Sequence, residues 1–105
     1  MATTAEQLTQ IEEQIGAAAA AVHNDGGASP VLGAVVQELA RKAKKAVDAL
    51  PDADDVGIRV SIVEVEQAAD SAKAAVEADD GPSEETRQAV RDAHLAICIL
   101  KGKTA

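Results

Sequence analysis

Residues 56–65, Val56-Gly57-Ile58-Arg59-Val60-Ser61-Ile62-Val63-Glu64-Val65, decide the fold class of this chain. Val56, Ile58, Val60 and Ile62 alternate with the period of a strand and are β-branched, which suits a pleated surface. Ile58, Ile62 and Val65 also step by four and three, the spacing of one helix face. The longer pattern arbitrates. Ala69, Ala72 and Val76 continue the same step, and from Glu64 onward only the helical period fits. Asp54 and Asp55 stand just upstream as N-terminal caps. The stretch therefore opens a helix, and nothing else in the chain asks for a sheet.

Three further segments carry the same three-four stepping. Leu8, Ile11, Ile15, Ala18 and Val22 form the first seam, ended by His23-Asn24-Asp25-Gly26-Gly27-Ala28, whose glycines suit a left-handed cap or turn. Ser29-Pro30 starts the second: serine caps free amides, and proline loses nothing at the first helical position. Leu32, Val36, Leu39, Ala43, Ala46 and Leu50 follow, and Pro51 closes the segment. Asp79-Asp80-Gly81-Pro82 ends the third helix, and Ser83-Glu84-Glu85 opens the fourth with a cap and an acidic first turn. Thr86, Val90, Ala93, Ile97 and Leu100 make its seam, with Gly102 as the expected stop.

A shift of 54 residues aligns the two halves without a gap. Each aliphatic seam lands on another, and Asp25-x-Gly27-x-Ser29 lands on Asp79-x-Gly81-x-Ser83. Alanine-rich heptads align with one another easily, but matched turns and caps do not. The expectation is an all-α, antiparallel up-down-up-down four-helix bundle filling residues 1–105 as one domain. Within it, residues 4–50 and 54–101 form a duplicated pair of helical hairpins, since short loops force antiparallel neighbours. The first and third helices are acidic on their outer faces, so the basic second helix belongs between them.

Composition narrows the function. Of the 105 residues, 47% are apolar, but many of these are alanine and none is aromatic. At about 25 cal/mol per Å² such a core stabilises a monomer modestly, which favours close packing or self-association. A net charge of −8 opposes binding to phosphate backbones, and no aromatic ring is present for base stacking. The single cysteine, Cys98, allows no disulfide within the chain. No apolar run is long enough for a membrane, and the acidic N-terminus does not resemble a secretory leader. The expectation is a cytoplasmic protein with no nucleic-acid or membrane partner.

No motif spells out a reaction. Cys98 follows Ile97 in an apolar run and reads as an inert packing thiol. Neither His23 nor His94 has the glutamate three residues upstream that a carboxylate-bridged metal bundle needs; those positions hold Ala20 and Arg91. No cofactor or metal is expected. Leu95 and Ile99, in the apolar stretch Leu95–Leu100, and the basic residues Arg41, Lys42 and Lys45 are the candidate interaction surface. The leading expectation is a non-enzymatic protein–protein interaction or regulatory bundle, binding a protein partner or a second copy. His94, as the phosphoacceptor of a phosphotransfer intermediate, is the enzymatic alternative. An acidic decoy for a basic or nucleic-acid-binding protein is the third.

Overall fold

The computed structural model describes residues 2–104. Four helices follow one another: α1 (Thr4–Asn24), α2 (Pro30–Asp48), α3 (Asp55–Glu77) and α4 (Glu84–Thr104), with one 3-10 turn, Leu50–Asp52, between α2 and α3. Among the described residues there is no strand. Residues 56–65 lie wholly within α3, and burial is the reason. As a helix the segment places Ile62 and Val65 at 0% exposure in the common core, an environment that outweighs a strand preference worth a fraction of a kcal/mol. Asp54 caps it, accepting the Gly57 N–H at 2.7 Å.

Consecutive helices pack side by side, and α1 closes the ring against α4. The result is an up-down-up-down bundle of 40 × 20 × 20 Å, with α2 across the axis from α4. Its interior is made of the four sequence seams. Leu8, Ile11, Ile15, Ala18 and Val22 are buried in α1, and their counterparts Ile62, Val65, Ala69, Ala72 and Val76 in α3. Leu32, Val36, Leu39, Ala43 and Ala46 are buried in α2, matched by Thr86, Val90, Ala93, Ile97 and Leu100 in α4. Thr86 is the one polar member of a seam, and its hydroxyl is bonded to that of Ser83 at 3.1 Å.

The α1–α2 and α3–α4 turns are interlocked as structural twins. Asp25 accepts the Gly27 N–H at 2.9 Å on one carboxylate oxygen and the Ser83 N–H at 2.9 Å on the other. Asp79 repeats this with Gly81 at 3.0 Å and Ser29 at 2.8 Å. Each hairpin's aspartate thus ties down the start of the other hairpin's second helix. Ser29 and Ser83 then cap α2 and α4 through the N–H groups of Leu32 and Thr86.

Four expectations from the sequence change. No described glycine has a positive φ, so Gly26 and Gly27 make no left-handed cap; Gly27 is needed because its backbone lies against that of Gly81. Helix α2 ends at Asp48 rather than Leu50, because Pro51 has no N–H with which to continue the α-helical ladder; Leu50 and Pro51 enter the 3-10 turn. Gly102 does not stop α4, which continues to Thr104, since a lone helical glycine costs only about 1 kcal/mol. Finally, α2 does lie between α1 and α3, but its charges do not bridge to them: Arg41 pairs with Glu38 and Lys44 with Asp48, all within α2. Core packing and short loops set the helix order. No described helix is long and apolar enough to cross a membrane.

Candidate functional site

Polar side chains gather on one seam of the bundle, between α3 and α4. Two helices packed antiparallel face each other with flanking positions beside their core seams. Here those positions hold Glu66 and Asp70 on α3, and His94, Cys98 and Lys101 on α4. His94 and Cys98 are four residues apart and so share one helix face. The His94 Nε2 lies 2.7 Å from Asp70 Oδ1 and 3.4 Å from Cys98 Sγ. One turn along, the Lys101 ammonium lies 3.4 Å from both oxygens of Glu66, whose side chain is almost covered.

The electrostatics follow from this crowding. The His94 hydrogen bond, first among the causes, holds the Asp70 carboxyl below the usual aspartate range. Burial pushes the Cys98 thiol above its ordinary value, and the Glu66 and Asp70 carboxylates push it further. Its surroundings are therefore apolar on one side only, against the fully apolar setting that its sequence neighbours imply. Asp70 and Cys98 both meet the same ring nitrogen. A nucleophile–base–orienter set would instead place the acid on Nδ1 and the thiol on Nε2.

The first hairpin holds a control for this arrangement. Under the 54-residue shift Asp70, His94 and Cys98 correspond to Gly16, Ala40 and Lys44. The same helix contact is made there from small side chains and an exposed lysine. The fold therefore does not require the polar set, which is particular to the second hairpin.

The candidate interaction residues fall on two separate faces. Leu95 and Ile99 lie one turn apart on the outside of α4, 58% and 50% exposed, while Ile97 and Leu100 of the same apolar run are buried. Arg41 and Lys45 are exposed on α2, across the bundle. Lys42 lines a shallow groove of about 400 Å³ between α2 and α3, with Glu38, Gln67 and Ser71. The structure therefore does not join the basic residues to the aliphatic pair. It adds a stripe that the sequence reading leaves out: Val56, Val60 and Val63 stand exposed on α3, fringed by Arg59 and Glu64. Their helical spacing of four and three, offset from the core seam, was the available signal.

His94 sits partly covered, with Nε2 engaged by Asp70, and His23 is exposed in the last turn of α1. Asp70 was the residue sequence reasoning missed as a site member, because it is 24 positions from His94 and only the helix register brings them together. Set against known proteins, the chain matches no family model, no curated protein and no solved structure.

Proposed function

We propose that this domain is a non-enzymatic interaction module that associates with a second copy of itself through the outer faces of α3 and α4. The observation carrying this reading is the exposed aliphatic set Val56, Val60, Val63, Leu95 and Ile99. All five sit in the same half of the bundle, where α3 begins and α4 ends. A core of alanine, leucine and β-branched side chains, with no aromatic ring, leaves these five, with Val31 alone at the start of α2, as the large apolar groups available for further burial.

The rim favours a second copy as the occupant. Arg59 and Glu64 flank the valine stripe with opposite charges. A two-fold contact between identical faces sets Arg59 of each copy beside Glu64 of the other, so the patch is complementary to itself. The shared Nε2 contact of Asp70 and Cys98 supports a non-enzymatic role. A carboxylate on Nε2 also opposes arrival of an anionic phosphoryl group there.

Sedimentation velocity over a wide concentration range tests this. The expected result is a reversible monomer–dimer equilibrium that Val60→Asp, and separately Leu95→Ser, weaken about tenfold or more, with the helical circular dichroism spectrum retained. A monomer at every concentration, or unchanged association in both variants, overturns the proposal.

A further inference from the structure

We propose that Asp70, His94 and Cys98 form a binding site for a borderline-soft divalent transition metal ion, zinc above all, bridging α3 and α4. Their ligating atoms, one oxygen, one nitrogen and one sulfur, all lie within 4.8 Å of one another. They come from two helices whose backbones are fixed by the buried seams on either side, so the site is held by the fold rather than by loops.

Among the three groups the His94–Asp70 contact is the strong one, and the thiol is the weak partner. His94 Nε2 can carry one proton. With that proton it donates to Asp70 at 2.7 Å, and the thiol at 3.4 Å gains at most a weak share. Without it, a ring lone pair faces a carboxylate oxygen across the same 2.7 Å. A cation among the three atoms takes the place of the Nε2 and thiol protons: the neutral ring then carries its proton on Nδ1, the thiol loses its own to solvent, and each of the three atoms offers a lone pair.

One of the three separations already suits a tetrahedral ion, and the Asp70–Cys98 separation lies within 4.8 Å. Zinc bonds of about 2.3 Å to sulfur and 2.0–2.2 Å to nitrogen and oxygen place ligand atoms about 3.4–3.6 Å apart. The His94–Cys98 separation of 3.4 Å is already there. The Asp70–His94 separation has to open by about 0.7 Å to reach that range, and Asp70 is free to move, since its side chain is more than half exposed. Thiolate and imidazole ligands select zinc, cobalt or nickel over magnesium and calcium, which prefer all-oxygen shells. Three protein ligands leave a fourth place for water or an external group.

Two neighbours complete the setting. Glu66, one turn before Asp70 and nearly buried, is neutralised by Lys101. Its carboxylate is engaged by the Lys101 ammonium and is not required as a ligand. The counterpart residues Gly16, Ala40 and Lys44 show that this contact packs without the three ligands, so their convergence is not a by-product of holding the bundle together.

The test uses Co²⁺ as a spectroscopic stand-in for zinc, with the full chain kept reduced by a non-thiol phosphine. One equivalent of Co²⁺ is expected to give a thiolate-to-cobalt charge-transfer band in the near ultraviolet and the intense visible bands of tetrahedral cobalt. Zinc should displace both bands, and magnesium in excess should not. Cys98→Ser should abolish the charge-transfer band. His94→Gln and Asp70→Asn should each weaken zinc binding by more than the roughly 10- to 100-fold that losing an outer-shell partner costs. All three variants keep size and burial, and circular dichroism checks that each is folded. Zinc is also expected to raise the melting temperature of the parent and not of Cys98→Ser. The absence of a sulfur charge-transfer band in folded parent protein, or the same band in Cys98→Ser, overturns the proposal. Neither readout depends on dimer formation, so this inference and the proposed association fail separately.

Discussion

Gly27 and Gly81 meet backbone to backbone where the two interhelical turns cross, each lying where the other's Cβ would be. A side chain of any size at either position runs into a carbonyl group of the other, and a carbonyl in a turn has little room to yield. This contact and the exchanged aspartate bonds make the two hairpins equivalent halves of one closure.

Gly27→Ala and Gly81→Ala are each expected to destabilise the domain by about 1–3 kcal/mol, the usual cost of forcing atoms into filled space. Gly26→Ala, one residue away in open space, should fall within about 0.5 kcal/mol of the parent. Urea unfolding of the three variants checks this, and equal effects at Gly26 and Gly27 would count against the contact.

Asp25 and Asp79 give the bundle an acid-sensitive latch. The backbone N–H of Ser83, chiefly, lowers the Asp25 carboxyl below its ordinary value of 3.8, and that of Ser29 does the same for Asp79. A depressed folded value means that the stabilisation is fully present above 3.8 and is lost as pH falls through the lowered values. Melting temperature should therefore drop on the acid side, and the double variant Asp25→Asn with Asp79→Asn should flatten that drop while lowering stability at neutral pH. Thermal melts at a series of pH values measure both.

Burial should separate chemically identical substitutions. Leu39 is 1% exposed and Leu95 58%. Leu39→Ala is expected to cost about 2–5 kcal/mol, whereas Leu95→Ala should stay within about 0.5 kcal/mol when measured on dilute protein. Chemical denaturation at one low concentration is the check.

Glu66 should depend on its cation. Lys101→Met leaves a nearly buried carboxylate without a partner. The expected loss is about 1 kcal/mol, below the cost for a fully buried pair because Lys101 is itself partly in water. Adding Glu66→Gln should recover most of it. If the double variant is no more stable than Lys101→Met alone, the ion pair is not what holds Glu66.

Helix positions and core identity were legible in the sequence because a helix repeats itself locally. Ile62, Val65, Ala69, Ala72 and Val76 announce one face by spacing alone, whatever they pack against, and the matched turns announce two equivalent hairpins. The same locality explains the errors at Leu50 and Gly102, where one residue's preference was weighed without its neighbours' packing. Tertiary structure decided what spacing along a chain cannot encode. It set Gly27 against Gly81, parted Leu95 from Arg41 by the width of the bundle, and carried Asp70 across 24 positions to His94 and Cys98. Those relationships depend on how far one helix slides and turns against its neighbour, a quantity fixed by the whole buried core rather than by any single stretch of it.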